Sequence, residues 1–323
     1  MPHAILVRRT GGPEVLEYGE IDPPSPRAGE LLVDVAAAGV NFVDVYHRTG
    51  AYPGELPLQL GTEAAGRVAA VGEGVVGVEA GDRVAWAMLP GAYATRAVVP
   101  AARAVPVPAA VDDETAAAVL LQGMTAHYLT HATYPVQPGD TVLVHAAAGG
   151  TGSLVVQMAR KRGGDVLATT STEEKSKLAR EAGAVEVIRY DQVEVAEQVA
   201  RITGGAGVAA VYDGVGASTF DASLASLRPR GYLVLFGASS GPVPPVDPRR
   251  LQAGGSLFLT RPTLAHYIAE REELLERSAA VFDAVVDGSL RVRIGGRYTL
   301  DEVGTAHTDL ESRRTTGKLL VIP

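Results

Sequence analysis

The chain has 323 residues, of which 46% are hydrophobic and 20% are charged, and its formal net charge is −8. This composition excludes wholesale disorder, and a length of about 150 residues per domain predicts two domains. The acidic balance disfavours nucleic acid as a partner, because phosphate backbones repel such a protein on average. Because the chain has no cysteine, disulfides, thiolate nucleophiles and cysteine-ligated zinc are excluded.

No run of about 18 uninterrupted apolar residues is present, and the first ten residues have no apolar core typical of a signal peptide. We therefore expect no membrane partner and a cytoplasmic protein.

Short β-like runs separated by glycine and proline turns dominate residues 1–123, and this pattern predicts a barrel-like fold. A helix is predicted over 111–131, with Asp112 capping its start. The runs that read as strands in this stretch are 30–37, 64–71 and 82–87.

Residues 139–262 change character, because short apolar runs now alternate with helical patterns. This alternation is typical of βαβ units and predicts a parallel sheet covered on both faces. The last stretch contains a predicted helix at 271–287, a strand at 291–294, a helix near 301–311 and a final strand at 319–322. The closing strands resemble the first stretch, so the chain is expected to return to the β-rich domain. The predicted strands of the middle stretch are 141–145, 165–169, 185–188, 208–212, 232–236 and 256–260.

The most informative segment is a strand that runs into a glycine-rich turn and then into a helix. Ala147, Gly149 and Gly152 occupy the three positions of the G-x-G-x-x-G pattern. Small residues there permit a tight turn, close approach to a pyrophosphate and close packing of helix on strand. The segment opens the predicted parallel sheet, so it predicts a dinucleotide site.

The end of the second predicted strand indicates which dinucleotide is bound. NAD enzymes usually place an acidic residue about 20 residues after the turn, where it holds the ribose 2′-hydroxyl. Here that region, 169–172, has neutral hydroxyl side chains, and Lys175 follows one helical turn later. A basic side chain suits a 2′-phosphate, so NADPH is predicted over NADH. The alternative is that Lys175 is a solvated helix residue that offsets Glu173 and Glu174.

Several ordered motifs resemble those of the zinc-free quinone oxidoreductase (zeta-crystallin-like) family of medium-chain dehydrogenases/reductases, and most closely its bacterial NADPH:quinone reductases. The resemblance covers essentially the whole chain, and Glu311 and Arg313 near the end of the chain add to it. The motifs are AGVNFVD at 38–44, GTEAAG at 61–66, GDRV at 81–84, HAAAGGTG at 145–152, YDGVG at 212–216 and FGASSG at 236–241.

The resemblance implies an α/β protein with a GroES-like β-barrel catalytic domain plus a Rossmann doubly wound parallel sheet, usually as a homodimer. The catalytic domain would comprise 1–123, completed by 265–323, and the NADPH-binding domain would comprise 124–264. Gly214 departs from close relatives, which have serine there. Arg314 beside Arg313 leaves open which guanidinium reaches the cofactor. The cofactor-binding residues that the resemblance implies are Phe42, Asp44, Tyr128, Gly149, Gly150, Thr151, Gly152, Ser171, Lys175, Tyr190, Phe236, Gly237, Ala238, Ser239, Pro262, Thr263, Leu264 and Arg313.

Metal binding is not expected. Zinc-dependent relatives use a cysteine and a histidine where this chain has Asn41 and Thr62. His127 and His131 lie four residues apart on a predicted helix, but no third ligand is suggested nearby.

Without zinc, the hydride acceptor must be one whose developing charge hydrogen bonds can stabilise, such as a quinone or an activated enone. The resemblance places Asn41, Tyr46 and Tyr52 near the nicotinamide as candidate catalytic residues. Asn41 would donate an amide N–H to the reduced oxygen, and Tyr52 would donate a proton or shape the site. Tyr52 as a simple turn residue is the alternative. Asp44 is interpreted as a structural hydrogen-bond acceptor, since nothing in the sequence indicates a raised pKa.

The predicted function is NADPH-dependent, metal-free reduction of a quinone or conjugated carbonyl. One alternative is an alkenal or enoyl double-bond reductase that uses the same NADPH site, with Tyr52 protonating the carbon next to the carbonyl. The alternative from another class is a structural or RNA-binding protein that retains NADPH with little turnover, and the negative charge argues against RNA. The apolar run 256–260 is the expected edge strand through which two subunits would pair.

Overall fold

The computed structural model describes residues 1–323, and these residues form two compact units. Unit 1 comprises Met1–Met124, Tyr267–Gly288 and Val292–Pro323, and unit 2 comprises Thr125–His266 and Ser289–Arg291. None of the helices combines the length and the apolar character that crossing a membrane requires.

Strands and helices follow one another along the whole chain. The strands are β1 His3–Val7, β2 Glu17–Glu20, β3 Glu30–Val40, β4 Leu58–Gln59, β5 Glu63–Val71, β6 Arg83–Ala87, β7 Arg96–Pro100, β8 Val105–Pro106, β9 Thr141–Val144, β10 Asp165–Thr170, β11 Glu186–Arg189, β12 Val208–Asp213, β13 Leu227–Leu235, β14 Phe258–Thr260, β15 Ile294–Thr299 and β16 Lys318–Ile322. The helices are α1 Phe42–Thr49, α2 Asp113–Tyr128, α3 Gly150–Lys161, α4 Glu173–Glu181, α5 Val195–Ile202, α6 Phe220–Ala225, α7 Pro248–Ala253, α8 Leu264–Tyr267, α9 Arg271–Val286 and α10 Val303–Glu311.

Unit 1 is built on a seven-stranded sheet with the order β15-β16-β3-β5-β6-β8, in which β7 pairs with β3, and on a three-stranded sheet β2-β1-β4. Its core packs Trp86 and Tyr93, both almost fully buried, among aliphatic side chains of these strands. The antiparallel pairing of β16 with β3, which sets Val321 opposite Ala38, returns the end of the chain to the first sheet. The predicted return to the β-rich domain is therefore confirmed.

Unit 2 has a six-stranded parallel sheet in the order β11-β10-β9-β12-β13-β14. Numbered from β9, this is the order 3-2-1-4-5-6 of the doubly wound nucleotide-binding fold. The central strands β9 and β12 are fully buried over most of their length, as strands covered on both faces must be. The predicted Rossmann sheet is confirmed, and β14 lies at its edge as expected.

Two predicted elements differ from the structure. The strand expected at 291–294 lies at Ile294–Thr299. Its start was not recognised because position 295 is glycine, a residue that does not indicate a strand. The structure requires glycine there, since a Cβ would collide with the carbonyl of Thr316. The helix expected over 111–131 is α-helical over Asp113–Tyr128 and continues as a π-helical turn, Leu129–Thr133. Asp112 caps its start as predicted, because its Oδ1 accepts from the backbone N–H of Thr115 at 2.7 Å.

Candidate active site

The glycine-rich turn connects β9 to α3 in unit 2. Gly149 is the N-cap of α3 and offers no side-chain cap. The backbone N–H groups of the first helical turn therefore remain for an anionic ligand. A Cβ at Gly152 would collide with the carbonyl of Ala146 and would lie 3.1 Å from the Cα of Ala147, so helix and turn touch only because residue 152 is glycine. This cradle fits the pyrophosphate of a dinucleotide.

The conformational strain of the turn lies one residue earlier than the motif suggests. Ala147 stands at the position of the first motif glycine, but the left-handed φ of +49° belongs to Ala146. Left-handed backbone is costly for a residue with a Cβ, so the surrounding structure must hold it.

A chain of buried hydrogen bonds begins at His145, the residue between β9 and this turn. Asp213 Oδ2 accepts from Ser223 Oγ at 2.8 Å, and Ser223 Oγ lies 3.0 Å from His145 Nε2. Because Ser223 gives its one proton to Asp213, His145 must donate from Nε2, and its Nδ1 accepts from Thr169 Oγ1 at 3.0 Å. Burial lowers the pKa of His145, while Asp213 opposes that shift. The network joins the ends of β9, β10 and β12.

The predicted 2′-phosphate residues lie at the ends of neighbouring strands. Ser171 follows β10, Tyr190 follows β11, and the backbone N–H of Tyr190 donates to the carbonyl of Thr170 at 3.2 Å. Lys175 lies in the first turn of α4, where its N–H donates to Thr172 Oγ1 at 3.2 Å. Ser171 and Lys175 are half-buried, and Tyr190 is exposed. The structure thus brings these three residues to one end of the sheet.

Sequence reasoning missed one residue there. Arg189, the last residue of β11, donates to both carboxylate oxygens of Asp191 at 2.8 and 2.7 Å and lies 3.4 Å from Glu173. Its position at the end of a short strand, directly before Tyr190, was the available signal.

The residues after β12 and β13 approach closely. A Cβ at Gly237 would collide with the backbone of Gly214, and a Cβ at Gly214 would lie 2.8 Å from Cζ of Phe236. The ring of Phe236 therefore fills the space that a side chain at position 214 would take. The remaining predicted residues of this unit are Tyr128 and Leu264, which are buried, and Ala238, Ser239, Pro262 and Thr263, which are half-buried.

In unit 1 the aromatic candidates lie together at α1 and the turn that follows it. The rings of Phe42 and Tyr46 are 6.3 Å apart, and those of Tyr46 and Tyr52 are 5.1 Å apart. Tyr52 is 39% exposed, and its backbone N–H donates to the carbonyl of Tyr46 at 3.0 Å. Arg313, which follows α10, is exposed and has a left-handed φ of +58°.

Asp44 is fully buried in the first turn of α1. Its Oδ2 accepts from the Tyr93 hydroxyl at 2.8 Å and from the backbone N–H of Asn41 at 3.0 Å, so it is a structural acceptor as expected. Its Oδ1 and the hydroxyl of Thr62 are buried without a hydrogen-bond partner. Burial raises the pKa of Asp44 to about 6, against the opposing hydrogen bonds from Tyr93 and Asn41 and the charge of Lys318. The expectation of an unshifted pKa was wrong, because the sequence does not reveal complete burial.

The Asn41 side chain faces protein groups. Its Nδ2 donates to the carbonyl of Gly39 at 3.1 Å and to Glu63 Oε2 at 3.0 Å, and its Oδ1 accepts from Lys318 Nζ at 2.7 Å. Both amide hydrogens are therefore engaged, which corrects the expectation that one of them donates to a reduced oxygen. Neither Glu63 nor Lys318 was singled out from the sequence. A lysine beginning an apolar strand was the signal for Lys318.

Two segments match known families. Residues 27–109 match the family described as "Alcohol dehydrogenase GroES-like domain", and residues 150–279 match the family described as "Zinc-binding dehydrogenase". Unit 1 contains the first segment and unit 2 most of the second.

The residues of this chain do not fit a zinc ion. Zinc in proteins takes thiolate, imidazole or carboxylate ligands, whereas Asn41 and Thr62 offer an amide and a hydroxyl. The carboxylate that the Asn41 side chain contacts belongs to Glu63, and it already binds the ammonium group of Lys318 at 2.6 Å. No three histidine, aspartate or glutamate side chains in residues 1–323 are grouped to hold a metal ion.

Full-length relatives identify the family. The chain is 44% identical over 315 residues to a quinone oxidoreductase of Pseudomonas aeruginosa, covering 97% of each chain. It is 42% identical to a 2-haloacrylate reductase of a Burkholderia species, covering 100% of this chain and 99% of the relative. A mycobacterial protein solved in complex with NADPH is 51% identical, with a TM-score of 0.97 over 99% of this chain and 100% of that one. The chain belongs to the quinone oxidoreductase family of medium-chain dehydrogenases/reductases.

Proposed function

We propose that the protein transfers a hydride from NADPH to a quinone or a similar conjugated carbonyl compound, without a metal ion. The observation that carries the proposal is the cradle between β9 and α3, where Gly152 packs against Ala146 and the first helical turn offers free N–H groups. When bound, NADPH supplies the hydride, and water or a side chain supplies the proton that completes the quinol.

The residues of unit 2 hold the nucleotide in this proposal. The backbone of Gly149, Gly150 and Thr151 binds the pyrophosphate at the positive end of α3. Ser171, Lys175 and Tyr190 surround the 2′-phosphate, and Phe236 closes over the nicotinamide ribose. The absence of a carboxylate at 169–172 supports NADPH, since an acidic side chain there would repel the phosphate.

The residues of unit 1 shape the acceptor site. Phe42, Tyr46 and Tyr52 provide flat apolar surface and two hydroxyl groups, which suits a planar aromatic substrate. Tyr52 is the candidate proton donor, because it is more exposed than the other two.

Turnover of NADPH with 1,4-naphthoquinone, followed at 340 nm, tests the proposal. We expect kcat/KM with NADPH to exceed that with NADH by at least about tenfold, which corresponds to about 1.4 kcal/mol. Lys175→Met is expected to remove most of this preference. Lys177→Met is the matched control, because Lys177 lies on the same helix with a side chain that is 77% exposed. A preference that survives Lys175→Met, or no quinone turnover, contradicts the proposal.

The second candidate is reduction of an activated carbon–carbon double bond. The similarity to the 2-haloacrylate reductase favours it. A panel of 1,4-naphthoquinone, 2-alkenals and enoyl thioesters separates the two candidates. If Tyr52 protonates the carbon next to the carbonyl, Tyr52→Phe should abolish alkenal reduction. It should lower quinone reduction much less, because water can replace Tyr52 as the proton donor to a quinol oxygen. RNA retention, the alternative from another class, is tested by filter binding with and without NADPH.

We also propose that the protein acts in the cytoplasm as a homodimer that pairs through β14. The strand lies at an open sheet edge, and Phe258 is 48% exposed while it stacks on Tyr232 at 4.4 Å. Unpaired strand edges are templates for pairing. Phe258→Glu should give a monomer by light scattering, whereas Val76→Glu, at a residue 92% exposed in unit 1, should leave the mass unchanged.

A further inference from the structure

A fully buried ion pair lies beside the start of α1. Lys318 Nζ is 2.6 Å from Glu63 Oε2 and 2.7 Å from Asn41 Oδ1. The side chains of Lys318 and Glu63 are both 0% exposed, and Asn41 is 4% exposed. Glu63 Oε1 also accepts from the backbone N–H of Leu121 in α2 at 2.6 Å. The cluster thus joins β16, β5, α2 and the residue that precedes α1.

Every hydrogen-bonding position of the Asn41 amide is occupied. Its two hydrogens go to Gly39 and Glu63, and its oxygen accepts from Lys318 and, at 3.4 Å, from Gln122 Nε2. A flipped amide would set its NH₂ group against the Lys318 ammonium and its oxygen against the Glu63 carboxylate. The ion pair therefore permits one orientation only.

The absence of a side chain at Gly39 leaves the space that the ion pair of Lys318 and Glu63 occupies. A Cβ at Gly39 would lie 2.5 Å from Glu63 Oε2, 2.6 Å from Lys318 Cε and 2.6 Å from the backbone carbonyl oxygen of Ala117 in α2. Gly39 has ordinary backbone geometry, so glycine is needed here for space and not for its conformational freedom.

We propose that Lys318 is a positioning residue for the reaction proposed above. Its ammonium group fixes the Asn41 amide, and Asn41 in turn fixes the start of α1, the helix that carries Phe42 and Tyr46. The backbone N–H of Asn41 bonds to Asp44 in that same turn. The competing explanation is that Lys318 only neutralises the buried charge of Glu63.

The double variant Lys318→Met/Glu63→Gln separates these explanations. It leaves no uncompensated charge, so it should fold with a Tm close to that of the natural protein. A glutamine side chain has one accepting oxygen where the carboxylate has two, so it cannot serve both Leu121 and Asn41, and the Asn41 amide loses its fixed orientation. We expect kcat/KM for 1,4-naphthoquinone to fall at least about tenfold, mainly through KM for the quinone. NADPH affinity, measured by fluorescence, should change less than about twofold, because the nucleotide turn belongs to unit 2.

Two further variants sharpen the kinetic test. Gly39→Ala keeps both charges but displaces the pair and crowds the Ala117 carbonyl of α2, so it should reproduce the rise in KM. Lys177→Met/Glu181→Gln removes an exposed pair separated by 4.0 Å and should change nothing. Full activity in a stably folded Lys318→Met/Glu63→Gln variant would overturn the positioning role.

An assay independent of turnover is available because Asn41 is the only asparagine in the chain. Protein made with ¹⁵N-asparagine should give one pair of side-chain amide signals, slow to exchange with solvent. In Lys318→Met/Glu63→Gln the pair should shift and exchange faster, or split into two sets. Unchanged signals would refute the proposal. If instead the natural protein reduces no quinone while these signals respond as expected, the proposed function fails and the fixing of Asn41 by Lys318 stands.

Discussion

Both carboxylate oxygens of Glu311 lie 2.9 Å from Nη2 of Arg48, whose side chain is only 1% exposed. The same guanidinium donates to the carbonyl of Gly11 and lies 3.0 Å from Nδ1 of His307. Arg48 therefore joins the N-terminal segment, α1 and α10 through one buried charge, and Glu311 is the only carboxylate that compensates this charge.

Glu311→Gln should destabilise unit 1 strongly, because it leaves a buried guanidinium without an anion. Breaking such a pair from one side costs about 3 kcal/mol in the free energy of unfolding. Urea denaturation measures the change. Glu17→Gln is the control, since the Arg8–Glu17 pair is more than half exposed on both sides and should contribute nothing measurable. If both variants lowered the free energy of unfolding equally, burial of the Arg48 guanidinium would not explain the effect.

The acid response of the protein should depend on His307. Burial and the neighbouring Arg48 charge lower the pKa of His307 to about 3, from 6.5 in the unfolded chain. Because the unfolded state binds the extra proton, His307 stabilises the fold above pH 6.5 and that stability is lost as the pH falls. The cost is about 1.4 kcal/mol per pH unit towards pH 3. Asp44, with its raised pKa, acts in the opposite direction between about pH 6 and 3.8.

His307→Gln should therefore gain stability relative to the natural protein as the pH falls from 7 to 5. Glutamine can still accept from Arg48 but takes up no proton, and Asp44 contributes equally to both proteins. Urea denaturation at several pH values gives the difference. A difference that does not vary with pH would show that His307 does not titrate in this way.

Gly152→Ala should weaken NADPH binding at least about tenfold. The added methyl group collides with the Ala146 backbone, so α3 must move away from the turn that would hold the pyrophosphate. Fluorescence titration with NADPH measures the loss. Gly19→Ala, at a glycine with open space and ordinary backbone geometry, should leave the affinity unchanged. Undiminished affinity in Gly152→Ala would argue against this turn as the phosphate site.

Gly214→Ser should alter nucleotide binding through Phe236. The new Cβ would lie 2.8 Å from the Phe236 ring, so the ring must rotate away from its present place. Because Phe236 is proposed to close over the nicotinamide ribose, we expect KM for NADPH to change about two- to tenfold while KM for the quinone changes less. Unchanged kinetics in both substrates would remove Phe236 from the proposed site.

Local patterns predicted the Rossmann sheet well, because each buried parallel strand is a short apolar run. The glycine-rich turn was also recognisable, because steric contact with Ala146 requires glycine at position 152. The strand β15 was misplaced because its two glycines carry no strand propensity, and only the contact of Gly295 with Thr316 explains them. The ion pair of Glu63 and Lys318 was not predictable in this way. Its partners lie 255 residues apart, and sequence patterns do not indicate that two charges meet in the interior.

The buried pair also constrains how this protein can change over evolutionary time. A single substitution that removes the charge at position 63 or 318 leaves the other charge buried in unit 1 without a partner. Position 39 accepts no side chain larger than that of glycine while Glu63 and Lys318 are present. Mutational drift can therefore replace Glu63 and Lys318 only together, and position 39 stays restricted to glycine even then, because the backbone carbonyl of Ala117 would lie 2.6 Å from a Cβ there.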